Sequence, residues 1–211
     1  MKQFPDSVNN NEENVIPFAR IACNVAIDQL RHEVEQLLLL NLQQPWVDHV
    51  NRHDYVGKWD VLPLRCQQQF VDAHPILQGF SIAAGDKWEN LPVLEHCPHI
   101  KSIFAQLHCP VKAARLMRLA AGAEIKPHRD QGLGMEFGEA RLHVPIHTSA
   151  AVSFLVDNQR IPMNAGELWY FNADQTHEVY NRGDEDRINL VIDCVVNDWL
   201  REKIQRGAVS E

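Results

Sequence analysis

From residue 112 onward the chain is a succession of short apolar segments, each closed within a few residues by Gly, Asn, Asp or Pro. This punctuation constrains the fold more than any other feature. Segments 112–119, 124–130, 141–148, 151–156, 167–172, 177–181 and 187–196 read as strands, rich in β-branched and aromatic residues and separated by turn formers. Short strands at such spacing predict a sandwich or jelly-roll barrel rather than a parallel sheet with crossover helices. The first half is mixed. Residues 15–22 read as a short strand, and over 24–40 Ile27, Leu30, Val34, Leu37 and Leu38 recur at helical spacing. Residues 55–66 read as a further strand, and Pro98 opens a helix ending near Leu107, before Pro110. Residues 1–15 are polar, lack periodicity and are expected to fray. The expectation is therefore one mainly β domain over 16–211, with a mixed N-terminal part to about 110 and a jelly-roll core over 110–198. No internal repeat interrupts it.

Composition narrows the partners. A formal charge of -8 opposes broad attraction to nucleic acid or to an anionic membrane surface. Five cysteines (Cys23, Cys66, Cys97, Cys109, Cys194) with no Cys-x-x-Cys pair suit neither a disulfide framework nor a structural zinc site. Reduced thiols, a polar N-terminus without an apolar export region and the lack of any run of transmembrane length together predict a cytoplasmic protein. Oligomeric state leaves no mark in the residues.

The chemistry concentrates at two places. Ile125-Lys126-Pro127-His128-Arg129-Asp130 puts a His and an Asp two residues apart on a predicted strand, so that both project from one face about 6.5 Å apart. A third ligand is available at His177, where a strand begins after a turn. His128, Asp130 and His177 together make two imidazoles and one carboxylate, the facial set of non-haem Fe(II) oxygenases, which leaves positions open for cosubstrate and O2. Arg187 follows His177 by ten residues, across the turn 182–186. If Asn181 and Arg187 flank that turn as a hairpin pair, Arg187 lies roughly 13 Å along the barrel from His177, a gap suited to a five-carbon diacid. Its planar fork would take the distal carboxylate of 2-oxoglutarate. An ordinary ion pair to Asp184 or Asp186 is the alternative for Arg187.

His128-x-Asp130, His177 and Arg187, with Gly166-Glu167-Leu168-Trp169-Tyr170-Phe171 leading into His177-Glu178-Val179-Tyr180-Asn181, resemble the aspartyl/asparaginyl β-hydroxylase family, which includes bacterial proline hydroxylases. The resemblance covers about residues 110–198. It implies a double-stranded β-helix (a cupin-like jelly roll) with helices packed outside, Fe(II), 2-oxoglutarate and O2 as reactants, and hydroxylation of a free amino acid or of an aspartyl or asparaginyl side chain, with release of succinate and CO2. It further implies that Arg141 and His143, in Arg141-Leu142-His143, help bind the cosubstrate. Mammalian aspartyl hydroxylases of the family lack the carboxylate ligand; Asp130 makes this sequence more similar to the bacterial amino-acid hydroxylases.

Other residues stay open. Arg115 and Arg118 could reach the barrel mouth and hold a substrate carboxylate, or be solvent-facing strand charges. His143 and His147 cannot share an ion, because four strand residues separate them by about 13 Å, and His147 reads as structural. The cluster Trp46, His49, Asn51, His53, Asp54 and Tyr55 lines either the substrate side or a surface loop. Against the hydroxylase stand a catalytically silent cupin-like barrel that binds a metal or small ligand, and a cupin-type metal enzyme that uses no oxoacid.

Overall fold

The structure, a computed structural model, describes residues 15–39, 46–80 and 87–208. The fraying expected for the N-terminus falls, apart from Val15, outside these residues. Thirteen strands are described: β1 Phe18–Ile21, β2 Val47–Asp48, β3 Tyr55–Val56, β4 Trp59–Gln67, β5 Trp88–Asn90, β6 Val111–Leu119, β7 Glu124–His128, β8 Glu139–His147, β9 Val152–Val156, β10 Gln159–Arg160, β11 Leu168–Phe171, β12 His177–Asn181 and β13 Arg187–Val195. Four helices accompany them: α1 Ile27–Leu39, α2 Pro75–Phe80, α3 Pro98–Phe104 and α4 Asp198–Gly207. None of the described helices is long and apolar enough to cross a membrane.

The strands form two antiparallel sheets. The larger runs β1-β11-β8-β13-β6-β4-β2, with β5 added beside β4; the smaller runs β10-β9-β12-β7-β3. Period-two alternation then divides the larger sheet into two faces. Leu142, Val144 and Ile146 of β8 and Leu190, Ile192 and Cys194 of β13 turn outward, where they pack with Leu30, Val34 and Leu37 of α1, Ile100 and Ile103 of α3, and Leu200 and Ile204 of α4. Trp59, Val61, Met117, Leu119, Trp169, Phe171 and Val191 turn inward to meet Ile125, Phe154, Val156 and Val179 of the smaller sheet. The fold is thus the jelly-roll expected, with helices outside. Its N-terminal segments belong to it, since β1 and β4 are strands of the larger sheet.

Local chemistry explains the element ends. Pro98 opens α3, and its first amides are taken by the buried Glu33 carboxylate from α1, which accepts from His99 N at 2.7 Å and Ile100 N at 3.1 Å. Asn197 caps α4 by accepting from Leu200 N at 3.0 Å. That helix was legible as Asn-Asp before Leu200 and Ile204, but is absent from the sequence-based expectation. Pro63 in β4 and Pro145 in β8 lie in central strands, where a missing N–H is normally excluded. Both stand at register shifts, between Pro63 and Arg65 against β6 and between Ile188 and Asn189 against β8.

Three expectations change. The single strand over 55–66 is two strands in different sheets, because Gly57, at φ 87° and with Ala123 Cβ only 2.7 Å from where its own Cβ would stand, turns the chain between them. The strand over 124–130 stops at His128. Asn181 and Arg187 are not a hairpin pair: β12 pairs with β7 and β9, whereas β13 pairs with β6 and β8, so the turn carries the chain from one sheet to the other. The 13 Å spacing drawn from that hairpin therefore has no basis.

Asn181 holds this crossing. Its buried amide nitrogen donates to Leu119 O at 3.1 Å, Ala120 O at 3.1 Å and Glu185 O at 2.8 Å, and its oxygen accepts from Gly183 N at 3.2 Å. Asn181→Ala leaves several of these groups unsatisfied, and urea unfolding should show a loss of about 2–3 kcal/mol. A change below about 0.5 kcal/mol would contradict the role.

Candidate metal centre

His177 opens β12 and stands directly opposite His128, the last residue of β7, in the smaller sheet. Cross-strand neighbours on one face are close enough to share an ion, and the two ring centroids are 4.2 Å apart. Asp130 joins them from beyond the strand end. Its amide donates to Ala173 O at 2.8 Å, which folds the 129–133 loop back on the segment before β12. One Asp130 oxygen then lies 3.9 Å from His128 Nε2, and the ligand atoms of all three residues fall within 4.8 Å of one another.

The imidazoles are prepared for a metal. His128 Nδ1 lies 2.8 Å from Lys126 O and His177 Nδ1 lies 3.0 Å from Gln175 O. A carbonyl only accepts, so both Nδ1 atoms carry the proton and both Nε2 atoms keep their lone pairs. Burial first, and the neighbouring His128 next, push the His177 pKa down to about 4, so it stays neutral as a ligand must. Burial alone would raise the Asp130 carboxyl, but Arg141 foremost and then both histidines hold it below the ordinary range. The two ligand loops are stapled by Asp174, which accepts from Gly132 N at 2.8 Å and from Arg129 Nη2 at 2.8 Å, while its own amide donates to Leu133 O at 3.2 Å.

Across the cavity, the inward positions of the larger sheet carry charge. Asp193 of β13 accepts from Arg141 Nε at 2.7 Å and Nη2 at 3.1 Å, and pairs with Arg115 Nη1 at 3.0 Å. Arg141 also bonds Asp130 Oδ2, so the array runs Arg115, Asp193, Arg141, Asp130 and ends on a candidate metal ligand. Both arginines and the two Arg141 bonds keep Asp193 ionised against burial.

Arg187 differs. It is 4% exposed and has no carboxylate partner among the described residues; Asp184 and Asp186 do not pair with it. Its guanidinium instead sits 5.6 Å above the Phe154 ring, which also meets Phe171 at 4.8 Å, His143 at 5.6 Å and His177 at 6.3 Å. Burial without compensation pulls its pKa down to about 10. His143, on the same inward face, meets Phe171 at 4.8 Å and Asn189 at 3.1 Å, and burial, reinforced by Arg187 and Arg141, keeps it neutral well below the usual histidine value.

The remaining expected residues divide. Arg115 faces the cavity, but Arg118 faces away: it bonds Asp60 and lies 4.7 Å over the Trp46 ring on the other side of the sheet. Positions 115 and 118 differ by an odd number, so a regular strand cannot aim both at one mouth. His147 stays apart from the candidate metal centre, with its Nε2 buried and unpartnered among the described residues. His49 is placed at the cavity from the N-terminal cluster, stacked on Trp59 at 3.5 Å and 9° and met edge-on by Phe80 of α2 at 4.7 Å. Burial, then Arg115, pushes its pKa to about 3. Asp193, Asn189, Asp174, Phe154 and Trp59 were not singled out from the sequence. For Asn189 and Asp193 a signal existed, because residues 187, 189, 191 and 193 share one face of a strand.

His49, His143 and His177 all have folded-state pKa values below the ordinary 6.5, so the unfolded chain takes up protons first as the pH falls. Stability of the metal-free protein is then full above pH 6.5 and falls from there towards pH 4, by up to about 1.4 kcal/mol per pH unit for each histidine. Urea midpoints at pH 7.5 and pH 5 should differ accordingly; equal midpoints would contradict buried neutral imidazoles.

Comparison with known proteins bears on the fold and the family. Among solved structures, the chain superposes on EvdMO1 with a TM-score of 0.52 at 12% identity, covering 86% of this chain and 48% of that one. It superposes on the non-heme alpha ketoglutarate dependent epimerase SnoN from nogalamycin biosynthesis with a TM-score of 0.51 at 11% identity, covering 85% and 77%. At these identities the likeness is one of fold. A 2OG-Fe(II) oxygenase family oxidoreductase from Burkholderia pseudomallei matches at a TM-score of 0.49 and 14% identity, over 78% and 79%. Residues 25–196 match the Aspartyl/Asparaginyl beta-hydroxylase family. That stretch takes in β2 to β13 and the three residues of the candidate metal centre, and the chain belongs to this family.

Proposed function

We propose that the protein is an Fe(II)- and 2-oxoglutarate-dependent hydroxylase that acts on a C–H bond of a free amino acid or of an aspartyl- or asparaginyl-type side chain. The observation that carries this reading is Arg187, a buried guanidinium without a carboxylate of its own, one aromatic ring away from His177. An isolated buried cation is costly, and an anionic ligand removes the cost.

The donor set fits the metal. Two imidazole Nε2 atoms and one carboxylate oxygen within 4.8 Å suit Fe(II) and leave coordination positions for other ligands. Bound iron, with O2 and 2-oxoglutarate, supplies the oxidation that turns a substrate C–H into C–OH while the oxoacid leaves as succinate and CO2. Each residue has a distinct part in that assembly. His128, Asp130 and His177 hold the metal, and Lys126 O and Gln175 O orient the two rings. Arg187 takes the distal carboxylate of the oxoacid and His143 stands beside it. Arg141, expected from the resemblance to serve the cosubstrate directly, is already shared between Asp130 and Asp193, so it keeps one Asp130 oxygen occupied and leaves the other for the metal. Phe154, Phe171 and Trp59 line the space and exclude water from it.

Charge indicates the kind of substrate. Among the described residues, three inward guanidiniums (Arg115, Arg141, Arg187) face two carboxylates (Asp130, Asp193), a surplus of one positive charge. Divalent iron and dianionic 2-oxoglutarate cancel each other, so the surplus persists on the side of Arg115, Arg141 and His49 and favours, among these substrates, one that presents a carboxylate there.

Arg187→Ala should leave Fe(II) affinity within a few-fold of wild type and weaken 2-oxoglutarate binding about 100-fold, roughly 3 kcal/mol, in anaerobic calorimetric titration. Equal oxoacid affinity in both proteins would remove Arg187 from the site. Failure of the wild type to bind 2-oxoglutarate would defeat the whole reading.

A further inference from the structure

Asn189 is the third residue of β13, at the bulge opposite Pro145, and is 0% exposed. It shares the inward face with Arg187, two residues before it and about 7 Å away along the strand. His143 is its diagonal neighbour on β8, since Val191 pairs with His143 and Asn189 with Pro145. One end of the Asn189 amide lies 3.1 Å from His143 Nδ1. The other end is buried and has no hydrogen-bond partner among the described residues. A buried, unpartnered amide atom has given up its hydration for nothing, and native cavities rarely keep one unless a ligand or water completes it.

The two ends of an amide are chemically opposite, and the pocket's charge selects between them. With oxygen at the free end, a lone pair would face an anion held by Arg187, and His143 Nδ1 would accept from the amide. With nitrogen at the free end, the oxygen accepts from His143 Nδ1–H and the N–H turns to the anion. Only the second arrangement satisfies both ends of the amide once a carboxylate is bound.

We propose that Asn189 is a cosubstrate-binding residue: its amide oxygen fixes His143 as the Nδ1–H tautomer, and its amide nitrogen donates to the carboxylate that Arg187 neutralises. This rests on the 2-oxoglutarate reading of the site. The ligand class it fits is a dicarboxylate, because an oxoacid without a distal carboxylate leaves both Arg187 and the Asn189 amide unpartnered. Asn189→Leu removes the donor at similar volume; Asn189→Asp replaces it with an anion that pairs with Arg187 in the ligand's place.

The experiment is anaerobic titration of the Fe(II)-loaded full chain with 2-oxoglutarate, together with 15N NMR of the histidine side chains of wild type. Asn189→Leu should weaken 2-oxoglutarate at least 10-fold and Asn189→Asp at least 100-fold, both with Fe(II) affinity and Tm close to wild type. In the wild-type complex His143 should be the Nδ1–H tautomer, a readout that needs no variant to fold. Wild-type binding with Asn189→Leu within two-fold of it, or a His143 proton on Nε2 in the complex, overturns the proposal while leaving the hydroxylase reading intact. Absence of 2-oxoglutarate binding by wild type overturns both.

Discussion

The pairing of β7 with β12 in the smaller sheet is the constraint on which the site depends. It sets His177 opposite His128, fifty residues apart in sequence by rough count, at a ring separation of 4.2 Å. Both rings are then fixed by carbonyls two residues behind them, and Asp130 is brought in by a single backbone bond to Ala173. A slip of that register by one residue would turn one histidine to the opposite face of the sheet. The Asp174 staple between the two ligand loops opposes any such movement.

The larger sheet supplies what the smaller one lacks. Its outward face is an apolar bed for three helices, which frees its inward face to carry arginines that would be intolerable in an ordinary core. Asp193 makes two of them tolerable by pairing with both Arg115 and Arg141. Arg187 is left with an aromatic ring and an unfulfilled charge. The division of the cavity follows from this asymmetry, with a neutralised array reaching Asp130 on one side and a free guanidinium beside Asn189 and His143 on the other.

Much of this was legible in the chain. The strands of the second half, the amphipathic face Leu30, Val34 and Leu37, and the convergence of His128, Asp130 and His177 follow from periodicity and residue type. Asp130 lies past the strand end and is carried to the two histidines by a loop rather than by strand alternation. Sheet membership was not legible: a polar turn of five residues looks the same whether it closes a hairpin or crosses between sheets, and the 182–186 turn does the latter. Of the two readings left open for Arg118, its odd spacing from Arg115 within one strand already favoured the outward one. His49, among six polar and aromatic candidates near the N-terminus, is distinguished by its stacking on Trp59, a contact that only the packing of β4 reveals.

The most direct test of the account is the anaerobic visible spectrum of the Fe(II)-loaded protein before and after addition of 2-oxoglutarate. Chelation of the oxoacid by iron held through His128, Asp130 and His177 should produce a weak metal-to-ligand charge-transfer band, saturating at one oxoacid per chain and absent from Asp130→Ala. A protein that binds one Fe(II) yet shows no such band would contradict the cosubstrate assignment and favour a metal-binding barrel of another function.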